Sequence, residues 1–80
     1  MWYVYILKCG DGSFYTGITT DLKRRINEHN SSKLGAKFTR GKRPVELVYS
    51  CKMNDRSAAS KEEYRIKKLS KTDKIKLIES

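Results

Sequence analysis

The sequence predicts an α+β domain: a three-stranded, mainly antiparallel sheet flanked by helices, in the order β-β-α-β-α-α. Three observations carry this. Two short runs rich in aromatic and β-branched residues, Trp2–Cys9 and Ser13–Ile18, are separated only by Gly10-Asp11-Gly12, the pattern of a hairpin. Leu22, Arg25, Ile26 and His29 then follow i, i+3, i+4, i+7 spacing, which is one face of a helix. A third β-rich run, Val45–Cys51, leads into two segments that open on capping residues and carry helical spacing. Residues 1–80 are expected to form a single domain. A chain this short buries only about 60% of its unfolded surface, so the core must be small.

The hairpin fixes the first functional question. A two-residue Asp11-Gly12 turn would pair Tyr5 with Ile18 and put Tyr5 and Tyr15 on opposite faces. A three-residue loop, Gly10 to Gly12, pairs Cys9 with Ser13 and Tyr5 with Gly17, and then Tyr5, Tyr15 and Gly17 share a face. If both tyrosines serve one site, the longer loop is required. Gly17 would then leave space beside Tyr5 for the close approach of a backbone or ligand.

Thr19-Thr20-Asp21 offers N-cap candidates, with Asp21 suited to the positive end of a helix running to about Asn30. Leu22 and Ile26 anchor it to the sheet. Lys23, Arg24, Asn27 and Glu28 take the outer side. Arg25 and His29 project from the edge of the apolar face. Arg25 is either a stem packed on the core with its head in water or part of a site. His29 is either an exposed residue favoured by the helix dipole or part of the same site.

The connection from Ser31 to Arg43 holds Lys33, Lys37, Arg40, Lys42 and Arg43, no acid, and one aromatic, Phe38. Loops of this length in small domains are usually functional or disordered. Basic residues around an aromatic suit phosphate contacts with a base or core contact; the alternative is a solvated loop pinned by Phe38. Pro44 introduces the third strand, in which Val45, Leu47, Tyr49 and Cys51 are expected to face one way. Asn54 or Asp55 can cap the next helix, roughly Arg56 to Leu69. There Ala59, Glu63, Ile66 and Ser70 form one stripe, and Glu63 stands beside the apolar face. Glu63 is either a surface partner of Lys67 at i+4 or a site residue. Ser70-x-x-Asp73 resembles a capping box for a last helix to Ile78. Lys61, Arg65, Lys67, Lys68, Lys71, Lys74 and Lys76 make this end strongly basic.

Eighteen Lys and Arg against nine Asp and Glu give a net charge of +9. That charge favours a polyanion, with DNA the expected partner, over a basic protein with no specific partner. Cys9 and Cys51 have no CxxC pairing and read as free thiols suited to a reducing cytoplasm. One histidine and two cysteines fall short of a structural zinc site. No membrane helix, signal peptide or small-molecule cofactor is expected, and the protein is expected to be a monomer.

Tyr3-Val4-Tyr5, Tyr15-Thr16-Gly17, Arg25, His29, and Glu63 four residues after Ala59 occur in an order and spacing that resembles the GIY-YIG endonuclease superfamily, in particular its small stand-alone members. The resemblance spans Tyr3 through Leu77. It implies catalytic roles for Tyr5, Tyr15, Arg25, His29 and Glu63, with Glu63 as ligand of one Mg²⁺ or Mn²⁺ ion. Tyr3 replaces the first glycine of the motif. Ile18 stands where some members carry a lysine, and no asparagine follows Asn54.

Phosphodiester hydrolysis needs a positioned water, a base, charge stabilisation and a leaving-group acid. One cation on a carboxylate, with waters completing its shell, suits Mg²⁺. Arg25 would grip phosphoryl oxygens with its planar fork. The resemblance makes Tyr5 the base, Tyr15 a positioner of water or phosphate, and His29 a proton-transfer or phosphate-contact group, with the two tyrosine roles exchangeable. Lys33, Lys37, Arg40, Lys42, Arg43 and Lys67 would bind the backbone of the nucleic acid. The expected function is a metal-dependent endonuclease that selects by structure rather than by sequence. The alternative is a nucleic-acid-binding module whose GIY-YIG site has degenerated.

Overall fold

The computed structural model describes residues 1–31 and 41–80. Lys33, Lys37, Phe38 and Arg40 lie outside the described residues. Strands β1 (Trp2–Lys8), β2 (Phe14–Thr19) and β3 (Glu46–Met53) and helices α1 (Leu22–Ser31), α2 (Arg56–Lys67) and α3 (Lys71–Glu79) follow the expected order. The sheet is antiparallel with strand order β2-β1-β3. The first strand is therefore central. That explains its nearly unbroken apolar run, because a central strand is covered on both faces.

The hairpin takes the three-residue loop. Cys9 N–H donates to the Ser13 carbonyl at 2.8 Å, and Gly12 N–H donates to the Cys9 carbonyl at 2.9 Å. Gly12 sits at φ 85°, in the left-handed region that glycine enters without steric cost. Asp11 closes the loop by accepting from both the backbone N–H and the hydroxyl of Ser13. Tyr5 consequently pairs with Gly17, and Leu7 with Tyr15. Both tyrosines face the same way.

Alternate residues of β1 build two apolar clusters on opposite sides of the sheet. Val4 and Ile6 join Ala59 and Ile66 of α2, with Leu77 and Ile78 of α3 packed against them. Tyr5, Leu7 and Cys9 join Val45, with Leu22 and Ile26 of α1 packed against them. The sheet thus lies between α1 and the α2–α3 pair.

The third strand departs from the expectation that Val45, Leu47, Tyr49 and Cys51 share a face. Ile6 pairs with Tyr49 but Leu7 pairs with Leu47, so Val48 is an extra residue, a β-bulge. The bulge resets the alternation. Val45 packs with the α1-side cluster, while Val48 and Tyr49 pack with the α2-side cluster. Both cysteines are free thiols; Cys9 is buried and Cys51 only partly so.

The expected caps are present. Asp21 accepts from Arg24 N–H at 3.0 Å, Asp55 from Ala58 N–H at 2.8 Å, and Ser70 from Asp73 N–H at 3.1 Å. Helix α2 ends at Lys67, two residues short of the expected Leu69, because Lys68 and Leu69 close onto Arg65 and Ile66 in a tighter turn.

The chain entering β3 is tied down at both ends of the α1 side. Gly10 N–H donates to the Lys42 carbonyl at 2.6 Å. A Cβ at position 10 would stand 2.9 Å from the Arg43 carbonyl oxygen, so this approach requires glycine. Asn30 meets Val45 with both ends of its amide: Val45 N–H donates to Oδ1 at 2.7 Å and Nδ2 donates to the Val45 carbonyl at 3.1 Å.

Candidate functional site

Tyr5 is the centre of the site because β1 is the middle strand and residue 5 points toward α1. Its hydroxyl lies 3.1 Å from His29 Nε2. The Arg25 guanidinium hydrogen-bonds the same hydroxyl. The Tyr15 ring completes the group, with centroids 6.4 Å from Tyr5 and 5.2 Å from His29. Four residues singled out in the sequence are therefore gathered around the Tyr5 ring. One tyrosine comes from each hairpin strand, and Arg25 and His29 come from successive turns of α1.

Gly17 makes room for this, though not as expected. The space beside it is taken by Tyr5 itself: a Cβ at position 17 would lie 2.5 Å from the Tyr5 hydroxyl oxygen and 3.2 Å from the Tyr15 ring. The glycine is required by the packing of the two rings rather than by an outside ligand.

His29 is not the exposed helix-end residue that composition allows; its exposure is 0%. Its pKa is lowered to about 4, first by burial and then by the charges of Arg25 and Arg43. The imidazole is neutral at pH 7. The Tyr5 hydroxyl is pushed up to about 12, chiefly by burial, against the opposing pull of its hydrogen bond from Arg25. Arg25 can only donate, so the phenol oxygen accepts from it. The phenol proton can then be donated to Nε2 of a neutral His29 in the tautomer protonated at Nδ1. Burial works against the charge of Arg25, but its hydrogen bonds to Glu28 and Tyr5 outweigh burial and raise its pKa.

Sequence reasoning placed Glu28 among outward residues and missed its part. Arg25 Nη1 donates to Glu28 Oε1 at 2.9 Å, while Arg24 Nε stands 3.8 Å from Oε2. The signal was available: Glu28 is three residues after Arg25 and four after Arg24, the spacings that bring side chains together on a helix. Asn30 and Gly10 were missed as well. Nothing local marks Gly10, since its neighbours at 42 and 43 are distant in sequence. Arg43, expected on nucleic acid, has its Nε committed to the His29 carbonyl at 2.8 Å. Lys42 stands 3.5 Å from Asp11.

Glu63 comes from the α2 side of the sheet. Its carboxylate pairs with Lys67 at 3.5 Å, and its side chain is 24% exposed. It acts on Tyr5 through its charge, the smallest of the five influences on that phenol. Among the described residues no three His, Cys, Asp or Glu side chains cluster as a ready metal site. A partly exposed carboxylate with one long ion pair nevertheless fits a hydrated Mg²⁺, which keeps most of its waters. Two open clefts, of about 480 and 280 Å³, lie elsewhere: one between Phe14, Val48, Ile75 and Ile78, the other at Cys9, Pro44 and Val45. Among the described residues no helix is long and apolar enough to cross a membrane.

Comparison with known proteins gives a consistent placement. A family model described as the GIY-YIG catalytic domain matches residues 1–76. A UPF0213 protein of Desulfotalea psychrophila is 58% identical over 79 residues, covering 99% of this chain and 72% of its own length. A UPF0213 protein of Pectobacterium carotovorum is 54% identical, covering 98% of this chain and 78% of its own. The solution structure of a UPF0213 protein from Bacillus halodurans superposes with a TM-score of 0.62 at 48% identity, covering 99% of this chain and 84% of that one.

Proposed function

This chain belongs to the GIY-YIG catalytic domain family, and on that footing we propose that it is a divalent-metal-dependent endonuclease hydrolysing phosphodiester bonds in DNA. The observation that carries the reading is the shared Tyr5 hydroxyl, bonded at once to His29 and Arg25. A phenol alone is a poor base. A phenol whose proton can pass to a neutral imidazole, beside a fixed guanidinium, is a usable one.

Arg25 holds the non-bridging oxygens of the scissile phosphate, exchanging its contact with Glu28 for the substrate. Its fork spans two oxygens, which a lysine cannot do. A water placed by Tyr15 attacks phosphorus. Tyr5 takes the proton of that water and passes its own to His29, whose lowered pKa makes it release the proton readily. The positive charge of Arg25 offsets negative charge on the phenol oxygen during transfer. Glu63 would hold the metal with waters, Mg²⁺ or Mn²⁺. When bound, that ion neutralises charge on the phosphoryl and leaving oxygens. The leaving oxygen takes a proton from solvent water, so the cut ends are a phosphate monoester and a hydroxyl.

Lys33, Lys37, Arg40, Lys42 and Lys67 contribute backbone attraction, consistent with +9 overall. These are contacts to the backbone, so selection rests on the shape of the nucleic acid rather than on base sequence. Two free thiols suit a reducing cytoplasm.

One observation favours binding without cutting: Tyr5 is held neutral and Arg25 is engaged by Glu28. A plasmid-nicking assay with Mg²⁺ on the wild type and on Glu63→Gln separates the readings. Hydrolysis predicts nicking that Glu63→Gln abolishes while DNA binding persists. No nicking by the wild type, or equal nicking by Glu63→Gln, rejects the assignment.

A further inference from the structure

We propose that Tyr64, with Lys67 and Lys68, forms a subsite beside Glu63 on which an unpaired nucleobase stacks. The proposal rests on the nucleic-acid reading above and names the form of substrate that reading leaves open.

Helix α2 buries Ala59 and Ile66 against the sheet, which leaves its other faces to solvent. Tyr64 is 63% exposed, the most exposed aromatic ring among the described residues. An aromatic ring left in water on a helix whose buried face is already filled is not core. At 100° per residue, the flank of α2 that starts at Glu63 continues through Lys67 to Tyr64 and Lys68. Lys67 is paired with Glu63 at 3.5 Å, so it bridges the candidate metal ligand to this outer strip. Lys68 Nζ lies over the Tyr64 ring, 4.3 Å from its centroid. A cation over one face of a ring fixes the setting of that ring and stands ready for the phosphate next to a stacked base.

The neighbours of Tyr64 one and two turns earlier, Ser60 and Ser57, are short and exposed, so neither covers the ring, and Lys68 is the side chain that lies over it. Lys61 is the remaining neighbour. The nearby acid, Glu62, lies on the opposite flank and is held by Arg65 through two bonds of 2.7 Å. The strip is thus one aromatic ring among cations. A protein-binding surface would instead centre on an apolar patch, and among the described residues the other exposed large apolar ones, Met1, Leu47 and Ile75, lie outside α2. An aromatic platform flanked by lysines is the chemistry that holds single-stranded nucleic acid: the ring takes a base face and the cations take phosphates. Bases in an intact duplex are stacked on each other and cannot use it. The substrate implied is a strand with an unpaired base next to the bond at Glu63, such as a flap or a frayed end.

Anisotropy titrations without divalent metal test this with three labelled probes: a short single strand, an abasic strand of the same length, and a blunt duplex. The wild type should bind the base-bearing strand roughly 5- to 150-fold more tightly than the abasic one. Tyr64→Ala should bring that ratio near one while changing duplex affinity less than about two-fold, because phosphate contacts are kept. Tyr64→Phe should preserve the ratio, since stacking needs the ring and not the hydroxyl. A wild type with no preference for bases overturns the proposal. So does a preference that survives Tyr64→Ala, or that is lost equally in Tyr64→Phe. No metal is present, so a chain that stacks bases but never nicks would refute hydrolysis and leave this subsite standing.

Discussion

The Tyr5 hydroxyl and His29 Nε2, 24 residues apart in the chain, meet at 3.1 Å in the interior of the protein. The bond ties the centre of the sheet to the last turn of α1, where burial and the charges of Arg25 and Arg43 keep His29 neutral. It has a measurable consequence for stability. The folded His29 titrates at about 4, against about 6.5 when unfolded. Its folded pKa is depressed, so the unfolded chain gains the proton first, and stability present above pH 6.5 is lost as pH falls toward 4. Urea unfolding should show a loss of about 2 kcal/mol between pH 7 and pH 5. His29→Gln should be less stable at pH 7 but flat across that interval. A wild type equally stable at both pH values would contradict a buried neutral imidazole.

On the nuclease reading proposed above, substrate must open the helix-surface pair of Arg25 and Glu28. Such a pair contributes at most about 1 kcal/mol to stability. Its larger effect is on binding: Glu28 competes with phosphate for the guanidinium. Glu28→Gln should therefore tighten DNA binding by about two- to five-fold at low salt, while unfolding shifts little. Arg25→Lys should keep most of the affinity and lose cutting, read by binding and nicking on the same preparation. Weaker DNA binding by Glu28→Gln would mean that the carboxylate holds Arg25 in its working position instead of competing for it.

Gly17→Ala tests the packing of the two tyrosines. The added methyl would lie 2.5 Å from the Tyr5 hydroxyl oxygen, closer than unbonded atoms approach, so the ring must move. Overpacking of this kind costs about 1–3 kcal/mol. The Tyr5–His29 bond should break with it, which the ¹⁵N chemical shifts of the His29 imidazole would read. Unchanged imidazole shifts would show that the ring yields without releasing His29.

Thr16 presents the opposite case. It is buried on the α2 side of β2, and its hydroxyl has no hydrogen-bond partner. A buried hydroxyl left unpaired costs about 1–3 kcal/mol, and valine has nearly the same shape. Thr16→Val should raise the unfolding midpoint by a few degrees, with the site on the other face of the sheet unaffected. A lowered midpoint would mean that the hydroxyl is satisfied in solution.

The sequence by itself determined the element order, narrowed the hairpin to two registers and put Arg25 and His29 on one face of α1. Each rests on short-range chemistry: a glycine at positive φ, a period of two, a period of 3.6. The structure chose the three-residue loop. Once the loop of Gly10 to Gly12 is chosen, Tyr5, Tyr15 and Gly17 must share a face, and α1 spacing must turn Arg25 and His29 toward it. Tertiary structure alone decided what happens between elements. The bulge at Val48 moved Tyr49 to the other face of the sheet, and no local residue announces it. His29 became buried and neutral because the segment carrying Arg43 and Val45 closes over the end of α1. Gly10 is needed only because the backbone at Lys42 and Arg43 comes to lie against it. Glu63 approaches from the far side of the sheet, so its reach to Tyr5 is a matter of how α2 packs. These are long-range contacts, and the burial, charge and strain they impose arise only when segments distant in the chain are brought together.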